Sequence, residues 1–250
     1  MTSDTSIQQT PFVKQLAAND RPTRDKAVES LKSYLSSSRT FTQSDLLKLW
    51  KGLFYCMWLS DRPLTQQRLA DELASLVDVI KPHNVFTFLE AYWTTIAREW
   101  NTIDALRMDK FMLLVRRYVA ASLRYLHSKG WDEEIIGENN SLLESLPLHP
   151  TNARMPDGLR YHLIDIYVDE ILKVAKVERD EKDDGDEDED EEEEEAEIQD
   201  EYDITPEQTE LLLQPFRRLL KESQSKPIRN CVKELSEDER LQPLLKESSE

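Results

Sequence analysis

Glycine is scarce in this chain, with five residues in 250, and segments that alternate apolar and polar residues between turn pairs are hard to find. β-Strands therefore have little support, because they need that period-2 alternation and the turns that join them. Apolar residues instead recur at three- and four-residue spacing along most of the chain, which is typical of amphipathic helices. The sequence predicts an all-α fold.

Cysteine and long apolar runs are also rare. Cys56 and Cys231 are far apart and do not suggest a disulfide framework, so free thiols in a reducing compartment are expected. The apolar run 52–59 is much shorter than the roughly 20 residues that a membrane-spanning helix needs, and the N-terminus lacks the features of a signal peptide. We expect a soluble intracellular protein with no membrane contact.

The net charge of -18 belongs almost entirely to one segment. Residues 178–201 hold 18 acidic and 2 basic residues, and the rest of the chain is close to neutral. Such a segment repels itself and is expected to be a disordered linker. We predict four parts: a disordered N-terminus at 1–11, an α-helical repeat domain at 12–177, the acidic linker at 178–201, and a C-terminal helical segment at 202–250 that docks on the domain or on a partner.

Capping residues mark the starts of several helices. Thr23 is predicted to cap the first, Thr42 or Ser44 a second that ends near Leu59, and Thr65 a third. Short connections between helices predict antiparallel pairs, arranged either as a bundle or as a HEAT-like solenoid of helical hairpins. Further helices are predicted over 84–100, 104–127, 133–146 and 159–176, from 205 onwards, and over 228–235.

The sequence offers no catalytic constellation. Phosphate-binding glycine loops are absent, and the four histidines show no metal-ligand spacing. Cys56, in LWKGLFYCMWLSDRP, is the one candidate nucleophile, but it lies late in a helix that is apolar all round, which favours core packing. We predict no enzymatic activity, cofactor or metal. Four tryptophans are predicted to lie in the core as well: Trp50, Trp58, Trp93 and Trp100.

Three cations recur every seven residues along the predicted helix 104–127, namely Lys110, Arg117 and Arg124. Seven residues nearly complete two helical turns, so these cations form a stripe. Two interpretations stay open: an ordinary solvated helix edge with local ion pairs, or a surface that contacts RNA phosphates or an acidic partner.

Three passages resemble a known family: LWKGLFYCMWLSDRPLTQQRLADEL, FLEAYWTTIAREWNTIDALRMDKFMLLVRRYV and LLLQPFRRLLKES. In this order and spacing, the chain resembles the eukaryotic ribosomal RNA-processing protein 1 family, also called the nucleolar protein 52 family. The resemblance covers most of 12–176 and, more weakly, 205–245. It implies a non-enzymatic helical-repeat factor of the nucleus and nucleolus.

In that family the implied role is assembly of the large ribosomal subunit and maturation of the precursor of the 5.8S and 25S/28S ribosomal RNAs. The implied partners are the precursor particle of the large subunit, Brix-domain and β-propeller assembly factors, and ribosomal RNA itself. We predict a scaffold that bridges these components. The residues predicted to contact RNA or a partner are Arg98, Arg107, Lys110, Arg116, Arg117 and Arg124, followed by Lys51 and Arg62.

A second function class stays open because of the acidic segment. Residues 178–201 could attract basic proteins such as histones or free ribosomal proteins, which would make the protein an acidic chaperone. The third class is an enzyme that uses Cys56.

Overall fold

The computed structural model of this protein describes residues 15, 16, 18, 20–177 and 201–245. Within these residues the regular structure is helical and no β-strand forms, so the all-α prediction is confirmed. The predicted disordered N-terminus at 1–11 and nearly all of the acidic segment 178–201 lie outside the described residues, and both remain predictions.

The helices are numbered here in chain order. They are α1 Arg21–Leu35, α2 Gln43–Leu59, α3 Pro63–Ala74, α4 Leu76–Val79, α5 Pro82–Glu99, α6 Ala105–His127, α7 Glu133–Ser145, α8 Asp157–Ala175, α9 Pro206–Glu222, α10 Lys226–Ser236 and α11 Gln242–Leu245. Short 3-10 segments lie at Trp100–Thr102 and Glu239–Leu241, and Gln15 and Leu16 are also helical.

The helix starts follow local capping chemistry, with two corrections to the prediction. Thr42 caps α2 as expected, since its hydroxyl oxygen accepts from the backbone N–H of Asp45. Thr23 does not cap α1: the carboxylate of Asp20 accepts from both the N–H and the hydroxyl of Thr23, so the helix begins earlier. Thr65 was also the wrong start for α3, which begins at Pro63, because proline suits the first helical position.

The helices form two layers in which neighbours run parallel. One layer holds α2, α5, α7 and α9, and the other holds α3 with α4, α6, α8 and α10. In the second layer, His162 of α8 lies against Met112 of α6, and Asp169 lies against Arg116, so both helices advance in the same direction. Parallel neighbours within each layer are typical of stacked helical hairpins, which supports the HEAT-like solenoid over the antiparallel bundle.

Aromatic rings join the two layers. The ring of Trp50 on α2 lies 4.8 Å from that of Tyr92 on α5 and 5.1 Å from that of Tyr118 on α6, measured between centroids. The core positions predicted for Trp50, Trp93 and Trp100 are confirmed, because all three are buried. Trp58 is half-buried and packs against the core from its edge.

The C-terminal helices extend both layers, with α9 packed on α7 and α10 on α8. Trp131, at the turn before α7, donates its indole N–H to the carbonyl oxygen of Asp203 at 2.5 Å and accepts from the side chain of Gln208. This turn uses left-handed backbone conformations at Gly130 and at Trp131 itself (φ of 65° and 54°). Further along, Asn140 of α7 donates to the carbonyl oxygen of Leu211 in α9 at 2.7 Å.

Cys56 is fully buried in α2, so the predicted core position is confirmed. Burial raises the pKa of its thiol to about 12, which keeps the sulfur protonated near neutral pH. Cys231 in α10 is partly exposed.

The burial of Cys56 and the partial exposure of Cys231 predict that the two thiols differ in their reactivity towards alkylating reagents. In the native protein, iodoacetamide should modify Cys231 and leave Cys56 untouched, whereas denaturant should expose both. Cys56→Ala should lower the free energy of unfolding by roughly 1 to 3 kcal/mol, because it leaves a small cavity. Mass spectrometry of the alkylated peptides and urea titrations measure both effects, and rapid native alkylation of Cys56 would contradict the prediction.

His162 on α8 predicts a pH dependence of stability. Its Nε2 lies 2.9 Å from the carbonyl oxygen of Met112, which can only accept, so Nε2 holds the proton; the buried Nδ1 has no hydrogen-bond partner among the described residues. Burial lowers the pKa of His162 below 6.5, and the unfolded chain therefore binds this proton more readily. The contribution to stability is present above about pH 6.5 and is lost as the pH falls below it.

We expect the stability that is lost between pH 7.5 and 5.5 to be smaller in His162→Gln than in the unchanged protein, because glutamine does not titrate. Urea titrations at both pH values measure this difference, and His83→Gln serves as the control at a more exposed histidine. Equal losses in the unchanged protein and His162→Gln would refute this assignment.

Candidate interaction surface

The three cations of the stripe predicted on α6 do not share one exposed surface, because the end of α2 covers Lys110. Lys110 is 5% exposed, and its Nζ donates to the carbonyl oxygens of Trp58 and Ser60, each at 2.7 Å. These carbonyls belong to the C-terminal end of α2, where a helix leaves acceptors unsatisfied and where positive charge is favourable. Burial lowers the pKa of Lys110. Lys110 therefore stabilises the packing of α6 on α2, and its assignment to an exposed stripe was wrong.

Arg116 is also occupied within the fold. It donates to the carboxylate of Asp169 at 2.8 Å and to that of Glu170 at 2.6 Å, both on α8. Arg240, beyond α10, donates to the other oxygen of Asp169 at 2.5 Å. This network fixes α6, α8 and the C-terminal segment to each other, and Glu170 within it is buried. Contact between Arg116 and a partner stays a prediction, although its guanidinium already bridges two carboxylates.

The other residues predicted to contact RNA or a partner lie away from Arg124, which is near the end of α6. Arg107 contacts the carboxylate of Asp104, and its guanidinium lies 4.8 Å from the ring centroid of Trp58. Arg98, at the end of α5, pairs with Glu99 at 2.7 Å. Arg62 is exposed at the start of α3, and Lys51 is partly exposed on α2.

Arg117 and Arg124 lie together in a groove between α6 and α8, with a volume of about 750 Å³. We call it the α6–α8 groove. Lys173 and Lys176 reach the same groove from the end of α8, and His127 reaches it from the end of α6. Four cations thus converge from two helices, and all four are exposed or nearly so.

Carboxylates moderate the charge of this groove. Asp71 pairs with Arg117 at 2.5 Å, Glu170 with Lys173 at 3.1 Å, and Asp203 with His127 at 3.2 Å. The Arg117–Asp71 pair is largely exposed, and such pairs contribute typically about 0 to 1 kcal/mol to stability, so a phosphate can compete with Asp71 for Arg117. The groove can therefore bind an anion through several weak, exchangeable contacts.

The sequence interpretation found Arg117 and Arg124 but missed Lys173 and Lys176. Both lysines lie in or just after the last turn of α8, where cations commonly interact favourably with the helix dipole. Their positions in the sequence therefore did not distinguish a binding role from ordinary stabilisation of the helix end. Only the parallel packing of α6 on α8 brings the four cations to one place.

The ends of the acidic segment meet beside this groove. Val177 donates its backbone N–H to the carbonyl oxygen of Glu201 at 2.9 Å, and Asp203 donates to that of Ala175 at 2.7 Å. Lys176 and Tyr202 form the β-bridge between these two stretches. The chain therefore leaves α8 and returns towards α9 at the same point, next to the four cations.

The described residues contain no group of histidine, cysteine or carboxylate side chains placed to hold a metal ion. Among the helices of those same residues, none has the length and apolar character needed to cross a membrane.

Comparison with known proteins places the chain in a family. The family described as "Nucleolar protein, Nop52" matches residues 7–250. The chain is 41% identical over 173 residues to the human protein named ribosomal RNA processing protein 1 homolog A, and the match covers 67% of this chain and 37% of that protein. It is 33% identical over 178 residues to the Drosophila melanogaster ribosomal RNA processing protein 1 homolog, covering 68% and 26%.

The matched part thus spans less than half the length of these relatives. The family match nevertheless runs across α1 to α11, including both helices that form the α6–α8 groove. The chain belongs to the Nop52 family of nucleolar proteins.

Proposed function

We propose that this protein is a non-enzymatic scaffold in assembly of the large ribosomal subunit, acting in the nucleolus. The observation that carries this proposal is its membership of the Nop52 family, whose relatives are named for ribosomal RNA processing. In this proposal, residues 12–177 and 202–250 act together as a helical-repeat body, with 178–201 as a linker. The body supports maturation of the precursor of the 5.8S and 25S/28S ribosomal RNAs by bridging assembly factors and that RNA.

The α6–α8 groove is the proposed site of RNA contact. Its four cations can donate charge-assisted hydrogen bonds to phosphate oxygens. They are Arg117, Arg124, Lys173 and Lys176. Among the described residues that line the groove, none is Phe, Tyr or Trp, so the proposed contact is made with phosphates. Binding through phosphates alone is insensitive to sequence and strongly dependent on salt. Sequence selection by the particle would then come from other components, including the proposed Brix-domain and β-propeller partners.

Neutralising the groove tests the RNA contact. Arg117→Gln/Arg124→Gln and Lys173→Gln/Lys176→Gln should each weaken binding to a transcript of precursor ribosomal RNA. Each lost phosphate contact should reduce the slope of log affinity against log salt by roughly 0.7 to 1. Filter binding between 50 and 200 mM salt, in about four steps, measures both quantities.

The matched control is Lys26→Gln/Lys226→Gln, which removes two exposed positive charges outside the groove. Circular dichroism should show unchanged helix content in all three double variants. Affinity and slope that fall equally in the control, or that do not fall in the groove variants, would remove the α6–α8 groove from the RNA contact.

The acidic chaperone remains the second candidate, and one observation favours it. The segment 178–201 carries 18 acidic residues, and its two ends are held together beside the groove. A basic protein bound to this segment would therefore stay close to the helical body.

Replacing 178–200 by an uncharged Ser, Gly and Gln segment of equal length separates the two candidates. The scaffold proposal expects the variant to sediment with precursors of the large subunit in low-salt sucrose gradients, as the unchanged protein should. The chaperone proposal expects histones and free ribosomal proteins to be released, because the electrostatic attraction is gone. Loss of particle association together with loss of basic-protein binding would favour the chaperone.

A further inference from the structure

A second groove lies between α8 and α10, with a volume of about 530 Å³. We call it the α8–α10 groove. Its apolar lining comes from Met112, Ile164, Val168 and Leu235, with part of Cys231 beside them. Clefts of roughly 300 to 1,000 Å³ with a mostly apolar lining are typical of binding sites.

The rim of this groove is negatively charged. Asp165 and Glu234 are exposed on opposite sides of it, and neither carboxylate forms an ion pair within the part of the chain that the structure describes. Arg240, the cation of the rim, already binds Asp169 at 2.5 Å and Asp238 at 2.6 Å, so its charge is compensated. Two uncompensated carboxylates therefore face whatever enters the groove.

We propose that the α8–α10 groove binds a basic amphipathic helix of a partner protein. Its lining on α8 extends from Gly158 to Val168, about 15 Å along the helix axis at 1.5 Å per residue. A helix in a groove uses apolar side chains at positions i, i+3 or i+4, and i+7, which span about 10 Å and so fit within this length. Lysine or arginine beside those apolar positions would then meet Asp165 and Glu234.

The negative charge of the rim disfavours two other ligands for the α8–α10 groove, a nucleic acid and a second copy of this chain. A nucleic acid would bring phosphates against the uncompensated carboxylates of the rim, which is unfavourable. A second copy of this chain would bring its own acidic segment, residues 178–201 with 18 acidic and 2 basic residues, and its helical part carries no net positive charge to match the rim. A basic protein segment satisfies both the apolar lining and the acidic rim.

This inference goes beyond the proposed RNA contact and does not depend on it. The α6–α8 groove uses α8 from Glu170 to its end and the two residues that follow, whereas the α8–α10 groove uses the same helix from Gly158 to Val168. One helix thus separates a cationic surface from an anionic and apolar one.

Photo-crosslinking in the full-length protein tests the proposal. Tyr161 is 36% exposed and lines the groove, and Tyr34 on α1 is 44% exposed and lies elsewhere. Each is replaced by p-benzoylphenylalanine, the protein is crosslinked in sedimented precursor particles, and the joined peptides are sequenced. We expect Tyr161→p-benzoylphenylalanine to join a protein segment with apolar residues at helical spacing and a net positive charge, and the Tyr34 probe not to join that segment.

Charge variants make the result specific. Asp165→Lys/Glu234→Lys should lower the yield of this crosslink about tenfold or more, because like charges would then face each other. The milder Asp165→Asn/Glu234→Gln should lower it less, and it keeps the test valid if the reversal unfolds the protein. Glu90→Lys/Glu138→Lys, which changes two exposed glutamates of the other layer by the same total charge, should leave the yield unchanged.

Crosslinks from position 161 to RNA, to a second copy of this chain, to an acidic or uncharged segment, or to nothing would overturn the proposal. So would a yield that is insensitive to both pairs of groove variants. Because RNA binding through Arg117 and Arg124 is measured separately, failure here with RNA binding intact rejects the α8–α10 proposal alone.

Discussion

The contact of Trp50 with aromatic rings from both layers is the interaction on which the arrangement of the helices depends. Its indole contacts the rings of Phe88, Tyr92 and Tyr118, and Tyr92 and Tyr118 also stack on each other at 3.9 Å between centroids. Aromatic pairs of this kind contribute about 0.5 to 1.5 kcal/mol beyond the area they bury. Because Tyr118 belongs to α6, these rings fix the rotation of that helix and thus decide which of its cations face solvent.

Helix type and most helix limits could be predicted because they follow from local chemistry. Asp104 and Thr205 cap α6 and α9 through their own side chains, and the apolar surroundings of Cys56 already indicated burial. Asp20 shows the limit of this approach, since a carboxylate and a nearby threonine could each cap α1 and only their geometry decides between them. The choice between a bundle and a solenoid also required the contacts between distant helices.

The cationic stripe could be predicted only in part, for a physical reason. Spacing shows that Lys110, Arg117 and Arg124 share one side of α6, but it does not show where a neighbouring helix ends against that side. The last carbonyls of α2 meet α6 at Lys110 and cover it, whereas Arg124 lies beyond them and is exposed. Lys173 and Lys176 join the groove through the packing of two helices that are about fifty residues apart in sequence.

The parallel stacking of α6, α8 and α10 gives one layer two surfaces of opposite character. Asp165 and Lys173 are eight residues apart on α8, about 12 Å along its axis at 1.5 Å per residue. The screening length in physiological salt is about 8 Å, so the charges of each groove act mainly on what binds in that groove. A scaffold that joins RNA to protein needs such separation, because a single surface of mixed charge would hold neither partner specifically. The helix between the grooves would fix the distance and orientation between the two partners proposed for them.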